Sequence, residues 1–278
     1  MKKYVLVGLL VVAAYIAGAS GFVTGPVSEV AVRLFYDPAP AKPAEKKKEM
    51  RSVVSFTFDD APRSVYTQAF PLLKKAGLHA TIYLSTGTLT KPGYVNWLDT
   101  KDLDASGWEI GAHTHTHADL TKLSVADFVG EIEESQRLFK ERGYTPVSFS
   151  APYGAYSERE LVELRKVYSS NRAAWGNGGI NPYPNFDAYN LVSLGITLET
   201  TLDEVREQVR TIKRDGGWLI LQFHQIDDGQ KEVGPFPKDT IYTTKIFPEI
   251  LEMILKEEVP VRTIRDIIAN QQIHRSAQ

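Results

Sequence analysis

Apolar residues along the chain follow two spacings that alternate from one segment to the next. Segments such as Ser52–Asp60 and Trp218–His224 are nearly continuous runs of strand-forming residues, which is typical of buried strands. The segments between them place apolar residues three or four apart, the spacing of an amphipathic helix. This alternation predicts repeated β/α units and hence a parallel sheet covered by helices. Further strands are predicted near His79, at Trp108–Ala112, near Val147, at Ser169–Ala174, at Asn190–Leu198 and from Pro260.

Capping residues mark the helices. Ser124 and Asp127 form a capping box for a helix that ends near Gly143, and Thr201 and Glu204 form another. Seven or so β/α units in about 220 residues predict the α/β class and a distorted (β/α)7-type barrel in a single domain. The remaining helices are predicted at 65–76, 97–106, 157–166 and 246–255.

The N-terminus predicts export. Lys2 and Lys3 precede a mostly apolar run from Tyr4 to Ala19 and a group of small residues, the pattern of a signal peptide. The run is shorter than the roughly 20 residues of a membrane span, although Gly21–Val23 can extend it into an anchor. Residues 1–23 are therefore predicted as a signal peptide or membrane anchor, 24–50 as a solvated linker rich in Pro, Ala and Lys, and 51–278 as the folded domain. The expected location is extracellular, periplasmic or at the outer side of the cell membrane.

The composition of the chain excludes several kinds of partner and catalytic site. The formal net charge is −2 and there is no cysteine among the 278 residues. The absence of a basic excess argues against nucleic acid as a partner. Without cysteine, thiolate catalysis and disulfides are excluded, and any metal must be held by His, Asp or Glu.

Four predicted strand ends carry polar residues that can do chemistry. They share one face, because the carboxyl ends of parallel strands meet at the same end of a barrel. Successive side chains of a strand point to opposite faces, so Asp59 and Asp60 are expected to diverge and to do different jobs. An acidic pair that merely opens a loop is the alternative interpretation. The strand-end residues are Asp59 and Asp60, His113 to His117, Tyr153, and His224.

The segment His113–His117 has a histidine at every second position. His113 and His117 are four residues apart, so a helical turn places both imidazoles on one side, and with Asp60 they make a nitrogen and oxygen set suited to zinc. Positions left open for water make such a site catalytic rather than structural. An extended segment would instead bring His113, His115 and His117 together, and a surface loop without a ligand is a third interpretation. We leave His115 out of the predicted metal set.

Four short motifs follow one another along the chain: TFDD ending at Asp60, HTHTH at His113–His117, APYG around Tyr153, and LQFH ending at His224. In this order they resemble the motif series of the polysaccharide deacetylases of carbohydrate esterase family 4, the NodB-type homology domain. The resemblance extends from Ser52 to about Ile268. It implies a metal-dependent hydrolase, with zinc as the expected metal and an N-acetylated glycan as the substrate.

The resemblance also implies roles for individual residues. The first aspartate of the family's motif is the catalytic base and the second is a metal ligand, which correspond to Asp59 and Asp60. The two histidine ligands of the family correspond to His113 and His117. The family's late histidine corresponds to His224, which would protonate the leaving amine; a satisfied histidine at the end of a buried strand is the plain alternative.

Two further positions follow from the resemblance. Tyr153 corresponds to the residue whose backbone N–H completes the oxyanion site. Many members have an arginine two residues before the Pro–Tyr pair, which orients the catalytic aspartate, where this chain has Ser150. How Asp59 is held is therefore left open. The family also has a later acidic residue that tunes the late histidine. By their order along the chain alone, Asp187 and Asp203 are the candidates for that position.

The sequence thus predicts an exported hydrolase of carbon–nitrogen bonds in linear amides, which removes N-acetyl groups from an N-acetylglucosamine-containing polysaccharide. A related amidohydrolase that acts on a small non-sugar amide is one alternative. An inactive glycan-binding envelope protein is another. Membrane association through the N-terminal segment belongs to the prediction. The candidates for sugar stacking are Trp97, Trp175, Tyr183 and Trp218.

Overall fold

The computed structural model describes residues 51–226 and 243–276. The predicted signal peptide or anchor (residues 1–23) and linker (24–50) lie outside the described residues, so both stay predictions. Within the described ranges, no helix combines the length and the apolar character needed to cross a membrane.

Seven parallel strands close into a barrel, which confirms the predicted architecture. The closing pair is β1 with β8, aligned from Ser52 opposite Gly217 to Phe58 opposite Phe223. β6 runs antiparallel beside the start of β8, and β9 with β10 forms a separate parallel pair. The strands are β1 (Ser52–Phe58), β2 (Thr81–Leu84), β3 (Glu109–Ala112), β4 (Ser148–Ser150), β5 (Ser170–Trp175), β6 (Ile180–Asn181), β7 (Leu191–Gly195), β8 (Gly217–Phe223), β9 (Gln225–Ile226) and β10 (Thr243–Thr244).

The helices follow the capping signals of the sequence. Ser124 accepts the N–H of Asp127 at the start of one helix, and Thr201 accepts that of Glu204 at the start of another. A π-type turn, Val65–Ala69, leads directly into the first α-helix. The α-helices are α1 (Phe70–Lys75), α2 (Trp97–Ala105), α3 (Val125–Glu141), α4 (Glu158–Val167), α5 (Leu202–Asp215), α6 (Phe247–Lys256) and α7 (Ile264–Ser276).

Alternation along β1 decides which residues face the inside of the barrel. Every second residue from Val54 to Phe58 is buried in the outer cluster, together with apolar residues of the surrounding helices. Val53 belongs instead to the inner cluster, with Trp218 of β8. Because the side-chain period of a strand is two, Asp59 faces the same side as Val53. The strand therefore directs the carboxylate of Asp59 into the barrel.

The segment from Pro260 differs from the prediction of a strand. It forms a single bridge, between Val261 and Val54 of β1, and then the unpredicted helix α7 begins. The hydroxyl of Thr263 accepts the N–H of Asp266 at 3.2 Å. Thr and Asp three residues apart are the signature of a capping box, so the signal for this helix was present in the sequence. Three buried isoleucines of α7 join the inner cluster.

A buried carboxylate attaches α7 to the barrel. Glu109, at the start of β3, is fully buried. It accepts hydrogen bonds from the Thr81 hydroxyl at 2.7 Å, the Ser148 hydroxyl at 2.5 Å and the backbone N–H of Arg265 at 2.7 Å. Burial raises the pKa of Glu109, against the effect of these donors. One side chain thus connects three strands or strand ends to the first turn of the last helix.

Candidate metal centre and catalytic pocket

The two aspartates after β1 point in different directions, as predicted. Asp59 continues the sheet, because its N–H donates to the carbonyl of Phe223 at 2.8 Å. Asp60 and Ala61 have φ values of 61° and 51°, so the backbone leaves the extended conformation directly after Asp59. The side chain of Asp59 stays inside the barrel, whereas that of Asp60 turns toward the segment His113–His117.

Asp60 meets two histidines of that segment. Its Oδ1 lies 3.3 Å from His113 Nε2 and 2.8 Å from His117 Nε2. One ligand atom from each of the three residues lies within 4.8 Å of the other two. His115 is directed elsewhere, with its Nδ1 2.9 Å from the hydroxyl of Thr86. The extended arrangement, with three histidines on one side, is not what the chain adopts.

Left-handed backbone and two hydrogen bonds orient the histidines. Thr114 and His117 have φ values of 65° and 64°. The hydroxyl of Thr114 accepts the N–H of His117 at 2.9 Å, which closes a tight turn between the two histidines. The Nδ1–H of His113 donates to the carbonyl of Ser150 at 2.7 Å. That bond fixes the proton on Nδ1 and leaves Nε2 to act as a ligand atom.

The donor set fits a divalent metal. Asp60 Oδ1 is buried and accepts no well-oriented hydrogen bond, although His117 Nε2 is close to it. Burial alone would lower the pKa of His113, but the contact with Asp60 raises it, so the buried imidazole and carboxylate favour a positive charge between them, which a proton or a metal ion can supply. Burial alone would raise the pKa of Asp60, but the contacts with His113 and His117 hold it well below its usual range. Two nitrogens and one carboxylate oxygen with open positions are a set that suits zinc.

Asp59 has a different environment, built around Arg172 of β5. The guanidinium of Arg172 donates to Asp59 Oδ2, and the side-chain amide of Gln222 donates to the same oxygen at 2.8 Å. Asp59 Oδ1 is buried and has no partner among the described residues. Burial opposes ionisation of Asp59, yet the charge of Arg172 keeps its pKa below the ordinary value. Asp59 is therefore an ionised carboxylate with one oxygen fixed and the other available.

Arg172 makes a contact to Asp59 of the kind that the resemblance assigns to an arginine at position 150. Ser150 and Arg172 are directly paired between β4 and β5, and Arg172 Nη2 donates to the hydroxyl of Ser150 at 2.6 Å. Arg172 also donates to the hydroxyl of Ser193 at 2.9 Å and is 1% exposed. The sequence reasoning missed this residue. The signal was a lone arginine within a predicted buried strand, where a charge requires a partner.

His224 and Tyr153 lie beside the group formed by Asp60, His113 and His117. His224 follows β8, and its Nε2 is 3.9 Å from Asp60 Oδ2. Burial lowers the pKa of His224. Tyr153 follows β4 in a left-handed conformation, with φ of 59°, and its ring packs against that of His117 with centroids 4.8 Å apart. Both residues line the same cavity as Asp60, His113 and His117.

All six predicted site residues line one cavity of about 560 Å³. Its rim carries a lysine and three aromatic residues, two of which, Tyr153 and Trp175, are 65% and 61% exposed. Gln222 lies inside and was not predicted from the sequence. The residues that line the cavity are Asp59, Asp60, Ser85, Thr88, Lys91, Tyr94, His113, Thr116, His117, Ala151, Tyr153, Gly154, Ala174, Trp175, Gln222 and His224.

The four aromatic residues predicted as candidates for sugar stacking differ in how far they are buried and in whether they line the cavity. Trp218 is fully buried and donates its Nε1–H to the hydroxyl of Ser55, so it belongs to the core. Trp97 packs against Tyr144, with ring centroids 6.2 Å apart, and does not line the cavity. Tyr183 is half-buried and also lies outside the cavity lining. Only Trp175, among the four candidates, combines exposure with a place in the cavity.

The two candidates for the later acidic residue lie apart from the cavity lining. Asp203 is on the exposed first turn of α5, where it pairs with Arg206. Asp187 accepts the backbone N–H of Tyr189 at 2.9 Å within its loop. Order along the chain was therefore a poor guide for this position.

Comparison with known proteins points to one family. Residues 46–168, somewhat less than half of the chain, match the family model described as polysaccharide deacetylase. This part of the chain is similar to the polysaccharide deacetylases. Among relatives, the peptidoglycan-N-acetylglucosamine deacetylase of Listeria monocytogenes is 30% identical over 133 residues, which are 46% of this chain and 28% of that protein. The poly-beta-1,6-N-acetyl-D-glucosamine N-deacetylase of Staphylococcus aureus is 26% identical over 138 residues, 44% of this chain and 48% of that protein.

The match to these curated relatives spans less than half of their own length. A solved structure covers more of this chain. The chitin deacetylase from the fungal pathogen Colletotrichum lindemuthianum superimposes with a TM-score of 0.55 over 79% of this chain and 88% of that one. Its sequence identity is 18%, so the likeness concerns the fold. It agrees with the closed barrel described above.

Metal content is expected to distinguish His117 from His115. His117→Ala removes one of the three donor atoms and should leave the purified protein without stoichiometric zinc. His115→Ala should retain zinc, because His115 is engaged by Thr86 and offers no ligand atom to the site. Elemental analysis of both purified variants makes the comparison. Zinc retained in the His117 variant and lost in the His115 variant would contradict the assignment.

Arg172 is expected to do the work of the family's arginine from the neighbouring strand. Arg172→Ala should lower kcat/KM for deacetylation by on the order of a hundredfold, the scale of losing a well-held general base, without emptying the metal site. Adding Ser150→Arg to that variant should restore part of the rate, because the two positions are paired and the removed side chain vacates the space. Ser150→Ala is the matched control and should have a small effect. A normal rate for Arg172→Ala, in protein shown by circular dichroism to be folded, would contradict this role.

Proposed function

We propose that this chain is an exported, metal-dependent deacetylase that hydrolyses the acetamide of N-acetylglucosamine units in a cell-wall or extracellular polysaccharide. The observation that carries the proposal is one cavity in which Asp60, His113 and His117 converge beside a separate buried carboxylate, Asp59. Amide hydrolysis is assisted by a Lewis acid that polarises the carbonyl and by a base that takes a proton from the attacking water, and these must be two separate groups that lie close together. The names of two relatives specify N-acetylglucosamine in peptidoglycan and in poly-beta-1,6-N-acetyl-D-glucosamine, which supports this class of substrate.

Asp60, His113 and His117 would hold the metal. A bound zinc ion supplies Lewis acidity, which polarises the acetyl oxygen and lowers the pKa of water to about 7. Nitrogen and oxygen donors without cysteine agree with zinc as the expected ion. The Nδ1–H bond from His113 to the Ser150 carbonyl keeps the ligand nitrogen in the tautomer that binding requires.

Asp59 would act as the general base. Its Oδ2 is held by Arg172 and Gln222, so the carboxylate cannot rotate freely. Its Oδ1 has no partner among the described residues and is the atom that would take the proton from the attacking water. Because Arg172 keeps the pKa of Asp59 low, the carboxylate is ionised and ready to accept that proton at neutral pH.

His224 would protonate the leaving amine. It lies on the Oδ2 side of Asp60, whereas His113 and His117 approach the Oδ1 atom. Burial lowers the pKa of His224, so the neutral imidazole is favoured at rest, and the proton that it would give to the amine has to come from the attacking water by way of Asp59. The backbone N–H of Tyr153 would donate to the developing oxyanion, and the left-handed conformation of this residue sets the direction of that N–H.

Trp175 would bind a sugar of the polymer. Its indole ring packs closely against Gly195. A Cβ added at that position would lie 2.3 Å from the indole Nε1, so the contact requires glycine. Trp175 as a whole is 61% exposed and lines the cavity. An exposed aromatic face is suited to stacking on a pyranose ring. This feature favours a glycan over a small non-sugar amide, which the catalytic groups alone would also serve.

Export to an extracellular or periplasmic location, or anchoring at the outer side of the cell membrane, belongs to the proposal on sequence grounds only. The Lys2–Lys3 pair and the apolar run after it support them, as does a polymeric substrate outside the cell. Fractionation of cells that make the full chain tests this part, since a cytosolic location would remove it.

Acetate release is the direct test of the activity. The substrates are N-acetylglucosamine oligomers, peptidoglycan and a small N-acetyl amide without a sugar, each assayed with zinc-loaded and chelator-stripped protein. We expect zinc-dependent release from the glycans. Trp175→Ala should raise KM for the oligomers by roughly two- to tenfold, the scale of an aromatic stacking contact, with little change in kcat.

The assay separates the alternatives. Hydrolysis of the small amide with no activity on any glycan, and no effect of Trp175→Ala, would favour the non-sugar amidohydrolase. Glycan binding without acetate release under all metal conditions would favour the inactive glycan-binding protein. Either outcome would contradict the proposed deacetylase.

A further inference from the structure

Glu131, on the second turn of α3, binds the backbone between the two histidine ligands. Its Oε2 accepts the N–H of His115 at 3.0 Å and the N–H of Thr116 at 2.8 Å. Its Oε1 accepts the hydroxyl of Thr116 at 2.7 Å. A single carboxylate therefore makes three hydrogen bonds to two consecutive residues, which lie between His113 and His117. Glu131 itself is not part of the metal-suited set.

The loop after β2 holds the same segment from the other side. The hydroxyl of Ser85 donates to the carbonyl of His113 at 2.7 Å, and the N–H of Gly87 donates to the carbonyl of His115 at 2.8 Å. A Cβ at Gly87 would lie 2.8 Å from that carbonyl oxygen, so the approach is as close as the backbone allows. The β2 loop thus donates hydrogen bonds to carbonyl groups of the segment, whereas Glu131 accepts hydrogen bonds from its N–H groups. The segment is fixed between the barrel and α3.

The hydrogen bonds from Glu131 and the β2 loop stabilise a strained backbone between His113 and His117. Thr114 and His117 are both left-handed, a conformation that non-glycine residues keep only where their surroundings hold them. The N–H groups of His115 and Thr116 need a hydrogen-bond acceptor, which here is the side chain of Glu131. Without that acceptor these N–H groups would turn to water. The turn that directs both imidazoles toward Asp60 would then lose its outer support.

We propose that Glu131 is a positioning residue of the metal centre, which sets the separation and direction of His113 and His117 through the backbone between them. The inference rests on the metal site of the proposed function. Groups that orient metal ligands without touching the metal typically change affinity by about 10- to 100-fold when they are removed. The glycan and the hydrolytic step do not enter the argument, so binding of zinc alone is the measurement.

Zinc affinity of the full chain, measured by competition with a chromophoric chelator, tests the proposal. Glu131→Ala should weaken zinc binding by about 10- to 100-fold. Glu131→Gln should stay close to the parent chain, because the amide oxygen can accept both N–H groups while its NH₂ donates to the hydroxyl of Thr116. Glu133→Ala is the matched control, since Glu133 is an exposed acid on the same helix. Thr116→Val removes one of the three hydrogen bonds and should give a smaller loss.

Each result decides the question. Equal zinc affinity for Glu131→Ala and Glu133→Ala would overturn the proposal. Equal weakening in Glu131→Ala and Glu131→Gln would assign the effect to the lost charge and would also overturn the positioning role. If Glu131→Ala does not fold, Glu131→Gln and Thr116→Val still decide, because the proposal requires the first to bind normally and the second to bind less tightly. A parent chain that binds no zinc would instead refute the metal site of the proposed function.

Discussion

The separation of two adjacent carboxylates is the constraint on which the site depends. Neighbouring aspartates would repel each other at a shared position, but the strand keeps Asp59 inside the barrel and the left-handed backbone turns Asp60 out of it. Each carboxylate then has partners of its own: the guanidinium of Arg172 for the first, and the imidazole nitrogens of His113 and His117 for the second. The same backbone step therefore provides a base that is not a ligand and a ligand that is not the base.

Backbone strain concentrates at this end of the barrel. Of the seven non-glycine residues with positive φ in the described part of the chain, five lie in the three segments that carry the site. Left-handed residues persist only where the surrounding contacts determine them, and such positions cluster at functional sites. Strand ends, the β2 loop and α3 supply these contacts here, so the barrel acts as a rigid support for short strained loops. The five residues are Asp60, Ala61, Thr114, His117 and Tyr153.

The sequence predicted the barrel well, because buried parallel strands and capped helices leave strong local patterns. It placed the site residues at strand ends for the same reason. It could not show what holds them, since Arg172 and Glu131 act across the fold and their partners are distant along the chain. Helix α7 was missed although its Thr–Asp capping signal was present, because the apolar segment before it was interpreted as a strand. How Asp59 is held without an arginine at position 150 became clear only from its contact with Arg172 on β5.

Metal content measured beside deacetylation rate, for Asp59→Asn and Asp60→Asn, tests the division of labour between the two carboxylates most directly. Asp59→Asn should keep its zinc and lose on the order of a hundredfold or more in rate, because the base is gone while the ligands remain. Asp60→Asn should bind zinc less tightly, because a neutral amide is a poorer ligand than a carboxylate, and excess zinc should restore part of its rate. A metal-free Asp59→Asn protein, or a metal-loaded one with a near-normal rate, would contradict the account.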